Sequence, residues 1–256
     1  MIPRLYVAEH LQKGVRFAAD DRAGHYLLNV LRRGSGDPLL LFNGSDGEYR
    51  SRIAEAAKRR LVLEVLEQTR AQEAEPDLWL CFAPLKKDAV DFLVEKGTEL
   101  GVARFQPVLT AHSASNRINQ IRLTAVATEA AEQSERLTVP EVLEPISLEA
   151  MRIGWSQDRH LLICAEGGAA VPIAQALRDL TSDVSYSNKF AVLIGPEGGF
   201  QDDELDRLRK LPFVTAVGLG PRILRAETAA LAALAAFQAI LGDGAKRPPR
   251  PSGAPA

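Results

Sequence analysis

At 256 residues, with 46% hydrophobic and 25% charged residues, the chain has a globular composition and enough length for two domains with buried cores. Two cysteines, each inside an apolar run (WLCF around Cys81, LLIC around Cys164), exclude a disulfide scaffold and predict buried, reduced thiols in a cytoplasmic protein. The net charge of −2 conceals an asymmetry: residues 1–70 carry 12 Lys+Arg against 9 Asp+Glu, the remainder 19 against 24.

Residues 1–67 read as short strands separated by turns. RLYV, PLLLF, YRSRIA and LVLEVLE are the strand candidates, and NGSDGE (43–48) is a hairpin turn rich in Asn, Gly and Asp. AGHYLLNVLR (23–32) repeats Tyr26, Leu27, Val30 and Leu31 at helical spacing. The expectation is a compact β-barrel-like domain with one helix. Its arginines cluster at Arg32-Arg33, Arg50, Arg52 and Lys58-Arg59-Arg60. That pattern fits a polyanion-docking module, or equally a solvated surface with chance clusters. QTRAQEAEPD (68–77) is polar and aperiodic, and reads as a boundary.

From residue 78 strands and helices alternate. LWLCFAPL, ARFQPVLT, HLLICAE, FAVLIG and TAVGLG are strand candidates. KDAVDFLVEKGTELG, a segment at about 117–136, PIAQALRDL, DDELDRLRKL and ETAALAALAAFQAIL are helix candidates. Such alternation predicts a mostly parallel sheet covered by helices. AALAALAAFQAIL (229–241) is too short and too weakly apolar to span a bilayer, and MIPRLYVAEH has no apolar signal core. GAKRPPRPSGAPA, rich in Pro and Gly, predicts a disordered tail.

Ligands of a parallel sheet bind at the carboxyl ends of its strands. Three such ends carry glycine: CAEGG (164–168), IGPEGG (194–199) and GLGP (218–221). Neither a GxGxxG fingerprint nor a GxxxxGK[ST] loop is present, so the glycines suit a compact ligand held largely by main-chain groups. Each turn taken singly reads as an ordinary tight turn. On the 117–136 helix, Glu129, Glu132, Gln133 and Arg136 share one face, either an exposed ion-paired face or a polar patch at a site or interface. Arg222 and Arg225 stand at the start of the last helix, where a guanidinium fork suits phosphate or developing negative charge. That small-residue helix is an internal packing helix or part of a dimer interface. His10, His25, His112 and His160 are scattered without ligand spacing, so no metal site is expected and no histidine stands out as a general base.

KGTELGV (96–102), EAAEQSERLTVP (129–140), LIGPEGGF (193–200) and LGPRILRAETAAL (219–231) occur in that order, with MIPRLYV at the start. Together they resemble the RsmE-type 16S ribosomal RNA uridine-N3 methyltransferases of the SPOUT superfamily, over nearly the whole chain. The resemblance implies a PUA-like RNA-binding β-barrel domain at residues 1–70. It further implies a SPOUT α/β domain with a deep trefoil knot at 76–244, and the Pro- and Gly-rich composition puts the disordered tail at 245–256. It implies S-adenosylmethionine as cofactor, a homodimer, and 16S ribosomal RNA of the small subunit as substrate, with no membrane and no metal. Carried over, the cofactor loops are Ala165 and Glu166; Ile194, Gly195, Glu197 and Gly198; and Leu219, Gly220, Ile223, Leu224 and Arg225. Arg225 and Glu197 are the expected catalytic residues. Arg4, Arg32, Arg33, Glu132, Gln133 and Arg136 are the expected substrate contacts. The loop TAHSASNRI (110–118) is less motif-like than its neighbours, and its part in RNA contact is open. The competing readings are a related SPOUT enzyme acting on another rRNA or tRNA nucleotide, and a non-catalytic RNA-binding assembly factor that kept the fold.

Overall fold

The computed structural model describes residues 2–57, 60–115, 117–165, 170–181 and 188–248. Lys58, Arg59, Glu166, the rest of the CAEGG glycine turn and the last eight residues of the expected disordered tail lie outside them. The chain divides into two compact units, one comprising residues 1–74 with 131–139 and the other 75–130 with 140–256.

The first unit is built on a five-stranded sheet in the order β1-β3-β4-β5-β2. Its strands are β1 (Arg4–Tyr6), β2 (Arg16–Ala18), β3 (Pro38–Phe42), β4 (Glu48–Ala57) and β5 (Arg60–Arg70). The NGSDGE turn joins β3 to β4 as an antiparallel hairpin with Phe42 opposite Glu48. Asn43 closes it, accepting from the amides of Ser45 and Asp46. The core under the sheet is aliphatic, with Leu5, Leu39, Leu41, Ile53, Leu63 and Val65 closing on Leu27. Two features differ from expectation. The pairings form an open path with β1 and β2 at its edges, and β2 is a three-residue strand too short to carry an alternation signal. The expected helix over 23–32 is instead a short α1 (Asp21–His25), capped by Asp20, running into a π-helical turn over Tyr26–Val30. Arg32 ends it in the left-handed region at φ 53°.

The second unit is an α/β structure in which, among the described residues, eight strands run parallel. Its main path is β11-β13-β10-β12-β6-β7-β8, with β9 pairing β7. The strands are β6 (Asp77–Phe82), β7 (Arg104–Leu109), β8 (Glu141–Val142), β9 (Ile146–Ser147), β10 (His160–Cys164), β11 (Val171–Pro172), β12 (Lys189–Ile194) and β13 (Val214–Gly218). Helices α2 (Lys87–Glu99), α3 (Gln120–Gln133), α4 (Leu148–Gly154), α5 (Ile173–Thr181), α6 (Asp202–Arg209) and α7 (Ala226–Ile240) connect them. The central strands are near-continuous apolar runs because both faces are covered; Phe190 through Leu193 are at most 1% exposed. α7 packs its Ala230, Ala233, Leu234 and Phe237 face on α2, α5 and β12. α4 was not foreseen: its segment LEAMRIG is only seven residues, although Ser147 caps it by accepting from the Ala150 amide. Among the described residues, no helix is long and apolar enough to cross a membrane.

Candidate functional site

The register of the second sheet builds the site. Cys164 at the end of β10 lies opposite Ile194 of β12 on one side and Val217 of β13 on the other. Adjacent strands sit about 4.8 Å apart, so the three glycine loops leave the sheet within roughly 10 Å of one another. After β12 the chain passes through α6 and returns at β13 on the far side of β10, a reversal of strand order of the kind where open sheets bind ligands.

Two of the loops show a reason for their glycines. The Gly199 amide donates to Pro196 O, closing the GPEGG turn, and Gly199 takes φ +73°. At Gly195 a Cβ would stand 2.8 Å from the Phe200 ring, so the ring folds back only over a glycine. Gly220 takes φ +105°, with the Arg222 guanidinium 3.9 Å from where its Cβ would be. Phe200 leads into α6 through a capping box, in which Gln201 and Glu204 satisfy each other's backbone amides. The second Glu204 oxygen accepts from the Ala111 amide, tying loop 110–115 to the same corner.

The expected cofactor residues separate by burial. Ala165 and Ile194 are buried, and Gly195, Leu219 and Leu224 half-buried. Glu197, Gly198, Gly220 and Arg225 are exposed, and Ile223 is 87% exposed. Glu166 lies outside the described residues. Arg225 is the N-cap residue of α7 without a side-chain capping bond, and neither Arg222 nor Arg225 has an ion pair among the described residues. Two cationic forks and one carboxylate, Glu197, therefore stand at the rim of a main-chain cradle. A cavity of about 230 Å3 lies beside it between α4 and α6, but its Arg152–Glu149 and Arg207–Asp203 walls are already paired. The strand-end loops, with their unpaired charges, are the better candidate. Burial pushes the Cys81 and Cys164 thiols up to about 12, so neither supplies a nucleophile at neutral pH.

The expected substrate residues fall in the first unit, and the structure splits them. Arg4 is buried against Glu48, its Nε donating at 2.6 Å and its terminal nitrogens donating to the Ala131 and Arg136 carbonyls. It also lies 3.8 Å over the Phe42 ring, and burial lowers its pKa. Glu132 accepts from the Tyr6 amide and from Arg22. Arg136 is buried and donates to Thr138, while Gln133 and Arg32 are exposed and Arg33 half-buried. The structure thus brings Arg4, Glu132 and Arg136 together as a clamp and leaves Arg32 outward. The remaining arginine cluster is laced to acids: Arg52 and Arg16 to Glu64, Arg50 to Glu67, and Arg60 to Glu55.

His112 was not singled out from the sequence. The structure seats its ring against the GPEGG turn, with Nδ1 3.2 Å from Gly199 O. Its only sequence signal is its place just past the carboxyl end of β7.

Comparison with known proteins agrees with this architecture. A family model described as RNA methyltransferase domain matches residues 72–238, and one described as RNA methyltransferase PUA domain matches residues 19–66. The chain is 33% identical to ribosomal RNA small subunit methyltransferase E of Rickettsia conorii, over 94% of this chain and 96% of that protein. It is 28% identical to the protein of the same name from Bacillus subtilis, over 90% and 92%. The crystal structure of ribosomal RNA small subunit methyltransferase E from Neisseria gonorrhoeae bound to S-adenosyl methionine superposes with a TM-score of 0.84 at 31% identity. That match covers 95% of this chain and 99% of the other.

Proposed function

The chain belongs to the RNA methyltransferase family that includes the enzymes named ribosomal RNA small subunit methyltransferase E, and from that premise we propose that it transfers a methyl group from S-adenosylmethionine to N3 of a uridine in 16S ribosomal RNA. The observation that carries the reading is the alignment of the β12, β10 and β13 ends, which brings the glycine loops together with Arg222 and Arg225. The residues present suit that cofactor. Gly195 and Gly198 leave room for Phe200 and His112 to close on the turn, Gly199 and Gly220 take the positive φ the loops need, and the adenosyl group needs no phosphate loop.

S-adenosylmethionine, when bound, supplies an electrophilic methyl group on a sulfonium. Ile194, Gly195, Gly198, Leu219, Gly220 and Leu224 would hold it through backbone and apolar contact, with Ala165 just past the end of β10. Ile223, almost wholly exposed, would be free to close on it. Arg225 directs its fork at the uracil carbonyl oxygens and stabilises the negative charge that builds as the N3 proton leaves. Glu197 hydrogen-bonds the substrate edge and fixes its orientation, and alignment of N3 with the methyl carbon supplies much of the rate. The first unit docks RNA through Arg32 and Arg33, chiefly by salt-sensitive phosphate contact. Arg4, Glu132 and Arg136 hold the 131–139 segment against the five-stranded sheet, leaving Gln133 toward RNA.

The second unit is taken as a SPOUT fold with a trefoil knot, in line with the return of the chain across β10. The enzyme is taken as a cytoplasmic homodimer, associating through the exposed small-residue side of α7 (Thr228, Ala232, Ala235, Ala239). Incubation with methyl-labelled S-adenosylmethionine and small ribosomal subunits is expected to place label in 16S RNA; a subunit that stays unlabelled contradicts the proposal.

A further inference from the structure

We propose that His112 is the proton acceptor for uridine N3, an inference that rests on the methylation reading above. Loop 110–115 is fixed on three sides. Thr110 N donates to Ser113 Oγ at 2.9 Å, Ala114 N to Pro84 O at 3.1 Å, and Ala111 N to Glu204 at 2.9 Å. The loop leaves the carboxyl end of β7, whose neighbour β6 pairs with β12. His112 is thereby laid on the GPEGG turn. A Cβ on Gly198 would come within 3.3 Å of the His112 Cβ, so this glycine gives the histidine room to lie that close.

The ring's tautomer follows from its partner. A carbonyl oxygen only accepts hydrogen bonds, so the Nδ1 that lies 3.2 Å from Gly199 O carries the hydrogen. In the neutral imidazole, Nε2 then holds the lone pair, and the side chain is exposed. A uracil N3–H meeting Nε2 gives up its proton: the N3–H bond breaks, an Nε2–H bond forms, and the N–H electron pair stays on N3. That pair forms the new N3–methyl bond as the methyl–sulfur bond breaks with its electrons going to sulfur. The imidazolium returns its proton to water from its exposed position. Charged groups on the elements around the loop include Glu197 of the turn, Asp202, Asp203 and Glu204 in the first turn of α6, Lys86, Lys87 and Asp88 at the start of α2, and Arg104 of β7.

The test uses the full chain with S-adenosylmethionine and small ribosomal subunits. His112→Asn keeps an N–H near the position of Nδ1 and removes the base; His112→Gln also alters the tie to Gly199. Both variants are expected to bind S-adenosylmethionine within about twofold of the parent by calorimetry, while kcat falls by about 100-fold or more. The parent's kcat should decline as pH falls through the range where imidazoles become protonated, and level off above it. In His112→Asn that decline should vanish, and the rate should instead climb toward the pH at which uracil itself ionises. His112→Asn with parental kcat and pH profile overturns the proposal. So does a parallel loss of cofactor affinity, which would make the histidine a structural tie while leaving methylation by the parent intact. A parent that labels no ribosomal RNA overturns the underlying reading and this step with it. Independently of turnover, 15N spectra of the free protein should show His112 as the Nδ1–H tautomer; an Nε2–H tautomer overturns the assignment.

Discussion

Replacing Arg225 with alanine separates chemistry from folding. The guanidinium is exposed, makes no capping bond to α7 and has no ion pair among the described residues. Its backbone still accepts from the Ala229 amide at 2.8 Å, and the variant keeps that bond because it belongs to the main chain. Removing such a surface side chain changes stability by no more than about 0.5 kcal/mol. A donor aimed at developing charge contributes about 3–4 kcal/mol to the transition state, or roughly 100- to 1,000-fold in kcat. Arg225→Ala should therefore lose about two to three orders of magnitude in methyl transfer. Its thermal midpoint and calorimetric affinity for S-adenosylmethionine should stay close to the parent's. Near-parental turnover would refute the role given to Arg225, and a collapse of the thermal midpoint would show that the side chain serves the fold.

Gly220→Ala forces an L side chain onto φ +105°, at a strain of about 1–3 kcal/mol, and should weaken S-adenosylmethionine binding about tenfold or more by calorimetry. Arg159→Ala removes a guanidinium, 7% exposed, that donates to the Asp77 carboxylate and the Phe190 carbonyl and lies 3.9 Å over Trp79. Chemical denaturation should record a loss of about 3 kcal/mol, moderated by the water that reaches Asp77. Asp158 is held at about 2, below its usual 3.8, mainly by its hydrogen bond from Lys189. Because the folded value is depressed, the bridge stabilises above pH 3.8 and its contribution fades as pH falls toward about 2. The gap in thermal midpoint between the parent and Asp158→Asn should accordingly be constant near neutrality and close through that acidic window.

Much of the second unit is legible in the residues themselves. Apolar β-branched runs such as FAVLI, and helices with clear stop signals, report local physics that a parallel sheet merely collects. The two-residue strands β8, β9 and β11 and the seven-residue α4 carry too few positions to set a period. They exist because β7 and β13 offer edges and because Ser147 caps a turn. The π-helical turn at Tyr26–Val30 hides for another reason: its residues satisfy an α-helical pattern, and the offset shows only when Leu31 N reaches Tyr26 O.

The candidate site divides in the same way. Glycine at GPEGG and GLGP, and arginine before α7, mark themselves locally. Charge counting leaves the first unit's arginines open as a docking surface or a solvated one, whereas Arg52 and Arg50 stand directly opposite Glu64 and Glu67 across β4 and β5. That pairing depends on strand register, to which composition is blind. The burial of Arg4 is likewise invisible locally, because the carbonyls that receive it come from the distant 131–139 segment. His112 meets Gly199 across 87 residues of chain, a proximity set by sheet order alone.

The most direct measurement is nucleoside-resolved mass spectrometry of small subunits treated with the protein and methyl-labelled S-adenosylmethionine. The account predicts label in 16S RNA as 3-methyluridine at a single position, and its loss with Arg225→Ala. Label on a different nucleoside, or in transfer RNA with 16S RNA unmodified, would contradict it.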